Sequence, residues 1–279
     1  MPEAIPEAIE VPAGVDPAVP SPARLYDYYL GGQNNFQADR DLAEKLRARM
    51  PELEDASWCN RGFLQRVVRR LAAKHGVHQF LDIGAGLPTQ NNTHQVAQRI
   101  APESRVVYID NDPMVLAHAD ALLAGLENVS VVAGDLREPG DVLANPEVTR
   151  LIDFDQPVGL LLVAVVHFVP DEQDPWGVVR RLVDAIAPDS YMALSHVTGD
   201  RQPENRVRGI QEIYAQATDQ LQFRSRPEVE RFFNGMELLS PYPGAARALT
   251  YVGLWDAEDA KAADSDGSRW WYAGVGRKL

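Results

Sequence analysis

Only one of the 279 residues is a cysteine, Cys59, so no internal disulfide and no multi-cysteine metal or iron–sulfur site can form. Basic residues are few: 27 Lys and Arg stand against 40 Asp and Glu, a formal net charge of −13. A chain of that sign is repelled by phosphate backbones and anionic lipid surfaces, so neither a nucleic-acid nor a membrane partner is expected. No apolar run reaches the roughly 18 residues a membrane-crossing helix needs. The opening MPEAIPEAIEVPAGVDPAVPSP has no positive start and no long apolar stretch, unlike a secretory signal. We expect a cytoplasmic protein. No His, Asp and Glu grouping has metal-ligand spacing, so no metal is expected. What remains, 45% hydrophobic and 24% charged residues, is ordinary globular composition.

Three regions are legible. Residues 1–20 carry five prolines (Pro2, Pro6, Pro12, Pro17, Pro20), which stop helices and remove backbone donors; a mobile tail is expected. Residues 21–75 read as a helical cap. Ser21-Pro22 is an N-cap followed by proline at the first helical position, Ala23 to Leu30 is helical, and Gly31-Gly32 ends it. A second helix carries Leu42, Leu46 and Met50, and a third is expected from Asn60 to His75 with Arg66–Arg70 largely solvated. From residue 76 the period switches to alternating strands and helices. Strands are expected at 79–83, 105–109, 129–132, 158–166 and 191–196, and late ones near 236–239 and 271–276. Val158–Val166 is an apolar run of nine, right for a strand buried on both faces. Residues 201–234 read as helical. The alternation predicts an α/β, Rossmann-like, seven-stranded and mostly parallel sheet, with helices on both faces and the N-terminal helices as a cap.

The chemistry concentrates at strand ends. Phe80-Leu81-Asp82-Ile83-Gly84-Ala85-Gly86-Leu87-Pro88-Thr89 is a strand running into a glycine turn. Thr89 stands where a dinucleotide fingerprint has its third glycine, which weakens a pyrophosphate reading. Asp82, two places before Gly84, would repel a pyrophosphate and suits an ammonium group. Asp110 ends the second strand, where a carboxylate can accept from both hydroxyls of a ribose. Asp135 follows the third strand beside Leu136 and can accept from an exocyclic amine such as that of adenine. Each Asp alone also fits an ordinary turn or cap residue. Together they describe a ligand with an amine, a ribose and an adenine, and S-adenosylmethionine fits.

At these residues the chain resembles the class I S-adenosylmethionine-dependent methyltransferases. It resembles more narrowly the bacterial S-adenosyl methyltransferase family, formerly a domain of unknown function. The resemblance runs from about Pro22 to the C-terminus. It rests on Ala23–Gly32 with Asn35-Phe36 and Asp39, on Asn60-Arg61, on the glycine turn, on Val166-His167-Phe168-Val169-Pro170-Asp171, and on Phe232-Phe233-Asn234-Gly235. Where that family has Glu-Pro-Gly and then Trp, this chain has Ser240-Pro241-Tyr242-Pro243-Gly244. The resemblance implies a cofactor and a reaction class, and no substrate.

The expected cofactor contacts are therefore Asp82, Gly84, Ala85, Gly86, Asp110, Asn111, Asp135 and Leu136. Tyr28, Gly31, Gly32 and Asn35 are added from the cap, where a ring can stack and amide donors can approach. His167, after the fourth strand, is the candidate general base; the plainer reading is a loop-ordering histidine. His196 is a weaker candidate of the same kind. No Asn-Pro-Pro-Tyr follows the fourth strand, the usual mark of enzymes that methylate amides or base amines. A small-molecule acceptor is expected. The alternatives are a non-catalytic protein that binds S-adenosylmethionine or S-adenosylhomocysteine as a regulatory signal, and a nicotinamide-dependent oxidoreductase.

Overall fold

A computed structural model describes residues 11–88, 91–123 and 125–279. Thr89 and the first half of the expected tail, residues 1–10, lie outside the described residues. The cap is three helices: α1 (Pro22–Tyr29), α2 (Gln37–Arg49) and α3 (Leu53–His75). Ser21 caps α1, its side chain accepting from the Arg24 N–H, and Pro22 sits at the first turn. Gly76, at φ 64°, ends α3 in the left-handed conformation glycine tolerates. This helix starts seven residues before the expected Asn60, because Glu54 and Asp55 in its first turn favour the positive end of the helix dipole.

The second region begins with β1 (Gln79–Ile83), α4 (Thr93–Gln98), β2 (Arg105–Asp110), α5 (Pro113–Leu123), β3 (Val129–Ala133), α6 (Pro139–Ala144) and α7 (Pro146–Leu151). It continues with β4 (Gly159–Val163), α8 (Pro175–Ala185), β5 (Tyr191–Val197), α9 (Glu204–Tyr214), α10 (Arg226–Glu230), β6 (Met236–Leu238), β7 (Thr250–Tyr251) and β8 (Trp271–Lys278). The strand order is β3-β2-β1-β4-β5-β8-β6, with the two-residue β7 also on β8. Strands β1 to β5 pair in parallel, and β8 returns antiparallel to β5 over 191–197. The fold is the expected Rossmann-like α/β sheet, with β7 as an eighth strand.

Both faces of the sheet are covered because successive strand residues point to opposite sides. Phe80, Val106 and Leu161 join the cluster that holds Leu25, Phe63 and Trp255 of the cap side. Their neighbours Leu81, Val107, Leu160 and Leu162 join the cluster with Val179 and Leu182 of α8. The cap is therefore fused to one face of the sheet through a common core.

Several expectations are corrected. Strand β4 stops at Val163 rather than Val166, because Ala164 adopts φ 59° and turns the chain out of the sheet into a 3-10 turn at Val166–Phe168. The 201–234 segment is not one helical stretch: α9 ends at Tyr214, 215–225 is irregular, and α10 is five residues long. Arg66 donates to the Trp255 and Val252 carbonyls at 2.6 and 2.7 Å, and Arg70 pairs with Asp256 and lies over Trp255. These arginines dock the late polar loop instead of facing solvent. Residues 11–20, expected to be tail, pack on the domain: Val15 lies against Leu87 and Met114, and the Arg24 guanidinium donates to the Val19 and Asp16 carbonyls.

Candidate active site

The strand order reverses between β1 and β4, and open α/β sheets bind ligands at that crevice, beyond the carboxyl ends of the strands. A cavity of about 580 Å³ lies there. The turns after β1 to β4 line it from the sheet, and α1, α3, α9 and residues 14–24 line it from the cap side. Gly84 (φ 72°) and Gly86 (φ 66°) shape the turn after β1. A Cβ on Gly84 would sit 2.3 Å from the Val165 side chain, so glycine is demanded by packing as well as by its φ. The Gly84 N–H donates to the Ile109 carbonyl at 2.8 Å, tying the turn to β2.

The three strand-end carboxylates all line this cavity, in three different environments. Asp82 is 4% exposed and accepts from Thr93 Oγ1 at 2.6 Å. Burial pushes its carboxyl up to about 6 against the opposing effects of Thr93 and the Arg61 charge. Asp110 accepts from the Gly86 and Asp112 N–H groups at 2.8 and 2.9 Å, and burial raises it to about 6 as well. Asp135 is more open and is gripped by Arg137, whose Nε and Nη2 lie 2.8 and 2.6 Å from its two oxygens. Burial raises the Asp135 carboxyl, but the Arg137 hydrogen bonds outweigh it and hold the group below the usual range. Arg137 also reaches Asp219 at 3.5 Å, linking the third strand end to the irregular 215–225 segment.

Ala85, Asn111, Leu136 and His167 line the same cavity. Tyr28, Gly31, Gly32 and Asn35, the expected cap contacts, are not among its lining residues. Tyr28 points to α2, donating to Glu44 at 3.1 Å with Arg47 over its ring. Gly32 and Asn35 pack around Asp27, and Gly31, at φ 78°, ends α1 with its N–H on the Tyr28 carbonyl. The Asp27 carboxylate accepts from Asn35 Nδ2 and the Asn34 N–H, both at 2.9 Å, and a Cβ on Gly32 would land 2.0 Å from it. The aromatic-rich motif thus ends α1 and starts α2. The opposite side of the helix, Ala23, Tyr26 and Tyr29, meets the cavity.

His167 is 2% exposed, and its Nδ1 is buried without a hydrogen-bond partner. Burial, His196 and Arg224 push its pKa well below the ordinary value, so the ring is neutral at physiological pH. Burial and Arg224 lower His196 to about 3. Its Nε2 receives a hydrogen bond from Arg224 at 2.8 Å and its Nδ1 lies 2.7 Å from the Val197 carbonyl, which fixes the Nδ1–H tautomer. Arg224 was not anticipated. It also binds the Val166 and Val169 carbonyls and Asp171, and stacks near Trp176 and Phe232. It is the clasp that holds the His167 turn against β5.

A buried chain of hydrogen bonds joins sheet to cap. The Ala164 N–H donates to Ser195 Oγ, Ser195 to Asn60 Oδ1 at 2.6 Å, Asn60 Nδ2 to Tyr26 Oη at 2.9 Å, and Tyr26 to the Ser57 carbonyl. Tyr26, Ser57 and Asn60 line the cavity. Beside them Arg24 and Asp39 form a buried ion pair at 2.8 Å. Asp39 also accepts from the Ser21 and Phe36 N–H groups. Ser21 Oγ donates to Asp112 at 2.7 Å, so the cap is bolted to the second strand end. Ser195 escapes the sequence reading, and Ser21 is read there only as an N-cap, without its bond to Asp112. Their one signal was position: the last turn of a strand, and a helix N-cap.

With this geometry in place, comparison with known proteins is decisive. The S-adenosyl methyltransferase family model matches residues 9–279. The chain belongs to that family. It is similar to the crystal structure of a candidate methyltransferase of Thermobifida fusca YX, with 38% identity, TM-score 0.88, and 97% of this chain and 99% of that one covered. It is similar to a DUF574 family protein of Streptomyces avermitilis MA-4680, with 38% identity, TM-score 0.86, and 94% and 98% covered. No curated protein matches the chain. The methyltransferase is S-adenosylmethionine-dependent, and among the described residues no helix is long and apolar enough to cross a membrane.

Proposed function

We propose that this methyltransferase acts on a small-molecule acceptor enclosed beneath its helical cap, with the strand-end carboxylates holding the cofactor. The supporting observation is convergence. A glycine turn that admits no side chain at Gly84, and three carboxylates of unlike chemistry, open on one cavity of about 580 Å³, within the range typical of small-ligand sites. The donor set fits S-adenosylmethionine. Asp82 would hold its ammonium group, Asp110 its ribose hydroxyls, and Asp135 with Leu136 its adenine; Gly84, Ala85, Gly86 and Asn111 would shape the backbone around it. When bound, the cofactor supplies a methyl group on sulfonium sulfur, which passes to the acceptor's nucleophilic atom while the bonding pair stays on sulfur.

The protein's own part is alignment and exclusion of water. His167 is held neutral, so it takes a proton only from an acceptor already made strongly acidic by bond formation. It contributes little to ionising a resting hydroxyl. The test is a calorimetric titration of wild type and Asp110→Ala with S-adenosylmethionine and S-adenosylhomocysteine. Binding to wild type, weakened at least about tenfold in the variant by loss of a charge-assisted hydrogen bond, is expected. Equal binding by both proteins would sink the assignment of Asp110.

A further inference from the structure

The cavity is chemically divided. Most of its charged lining residues stand toward the β1–β3 end; Asp16 caps its own turn and Asp219, which acts on Tyr214 across the cavity, is held by Arg137. Asp82, Asp110 and Asp112 accept the hydrogen bonds described above, Arg24 pairs with Asp39, and Arg137 bridges Asp135 and Asp219. Arg61 belongs to the same end, near Asp82 and 2.9 Å from Asn92 Oδ1. The other end, between β5, β8, α2, α3 and α9, is lined by Leu46, Ile210, Tyr214, Phe168, Trp270 and Trp271 with no charged side chain among them. The rings there form a connected wall: His167 lies 5.2 Å from Trp271 and 4.3 Å from Phe168, and Phe168 lies 5.9 Å from Tyr214.

Two polar atoms in this neighbourhood lack partners. Tyr29 Oη and His167 Nδ1 are both buried without a hydrogen bond, and both residues line the cavity. Leaving a buried polar atom unpaired is costly, so two beside one chamber call for an explanation. The other polar groups of the chamber do not share this condition, since Tyr26 and Asn60 are satisfied by each other and by Ser57 and Ser195.

From this division we infer that the acceptor is an uncharged aromatic ring carrying a hydroxyl group. The ring lies against the Phe168–Tyr214–Trp271 wall and the hydroxyl meets Tyr29. The inference rests on the methyltransferase reading above and narrows its acceptor. A carboxylated or phosphorylated acceptor would bring a negative charge against a wall that offers it no cation of its own, beside the acidic groups Asp219 and Asp39 that act on Tyr214, and an unpaired buried charge is far costlier than an unpaired hydroxyl. A flat ring suits aromatic walls, which favour edge-to-face and offset contacts. Because the charged end of the cavity is committed to the cofactor, the acceptor's polarity is confined to the substituent at which methylation takes place.

The test uses the full-length enzyme saturated with S-adenosylhomocysteine, titrated calorimetrically with 1-naphthol, 1-naphthoate, 1-naphthyl phosphate and naphthalene. Binding of 1-naphthol at least tenfold tighter than either anion is expected. Tyr29→Phe is expected to weaken 1-naphthol roughly tenfold, as loss of one buried hydrogen bond would, while naphthalene and S-adenosylhomocysteine bind as before. An anion binding as tightly as 1-naphthol, or no 1-naphthol binding to enzyme that has taken up S-adenosylhomocysteine, overturns the inference and leaves the methyltransferase reading standing. An unchanged 1-naphthol affinity in Tyr29→Phe overturns the role of Tyr29. Failure of wild type to take up S-adenosylhomocysteine overturns both readings.

Discussion

The two ends of the cavity are built by different means. The β1–β3 end is made by backbone turns at strand termini, where glycine φ angles and carboxylates are dictated by the sheet. The far end is made by side chains of helices and late strands, and its shape depends on how the cap docks. The contrast teaches that the β1–β3 end owes its carboxylates and glycine turn to the sheet, with the cap only adding to it through Ser21, Arg24 and Arg61. The acceptor end exists only while Arg24, Asp39, Asn60 and Ser195 hold the cap in place.

The largest effect expected from breaking this arrangement is at the buried ion pair. Arg24→Met leaves Asp39 with no cationic partner at 0% exposure, a change that costs about 3–5 kcal/mol when one member of a buried pair is removed. Urea denaturation measures it. If cap and sheet are one cooperative unit, as their shared core implies, the whole transition moves. A separate early transition confined to the cap would separate the two regions. Next comes Gly84→Ala, which forces a Cβ against Val165 at a positive φ. About 2–3 kcal/mol of destabilisation is expected from strain and overpacking, with S-adenosylhomocysteine affinity reduced more than 1-naphthol affinity. Equal loss of both would refute the independence of the two ends.

A third prediction concerns pH and is confined to the cofactor end. Asp82 titrates near 6 when folded and near 3.8 when unfolded. The folded state therefore binds more protons between those values, and ionisation of Asp82 destabilises the empty protein as pH rises through about 6. Asp82→Asn removes that cost while its side-chain oxygen can still accept from Thr93. The ligand-free variant should melt a few degrees higher than wild type at pH 7 and no higher at pH 4, by calorimetry. The same substitution deletes the counter-charge for an ammonium group, so S-adenosylmethionine affinity should fall about tenfold at pH 7. Wild-type affinity itself should decline as pH drops through 6, because both Asp82 and Asp110 then take up protons.

The sheet and the strand-end turns proposed to hold the cofactor were legible in the sequence because both obey short-range rules. Val158–Val166 is apolar because β4 is covered on both faces, and Gly84, Asp110 and Asp135 stand at strand ends whose positions follow from the alternation. The acceptor end was not legible. Tyr29 and Tyr214 are 185 positions apart in number and meet only after the cap has docked, and nothing in the local spacing of Arg224 announces a clasp on His196. The solvated appearance of Arg66 and Arg70 misled for the same reason: their carbonyl and ring partners lie in the 252–256 turn, almost two hundred residues away.

The cap motif sharpens the contrast with the smallest effect. The density of aromatics and glycines points to cofactor contacts at Gly31, Gly32 and Asn35, and none of the three lines the cavity; Gly32 and Asn35 instead pack around Asp27. Asn35→Ala removes the 2.9 Å hydrogen bond to Asp27 and the bond to the Gly32 carbonyl. It leaves a buried carboxylate that burial already raises above its usual range. With the bond that Asn35 Oδ1 accepts from Arg40 also gone, about 1–3 kcal/mol of destabilisation is expected from the three lost hydrogen bonds. Once folded, the variant should bind S-adenosylhomocysteine as wild type does, because none of the displaced groups touches the strand-end turns. A calorimetric affinity unchanged beside a lowered melting temperature would place the motif in the architecture of the cap. A loss of affinity with no loss of stability would return it to the cofactor, and would mean that the two ends of the cavity share more of the cap than the hydrogen bonds around Asp27 indicate.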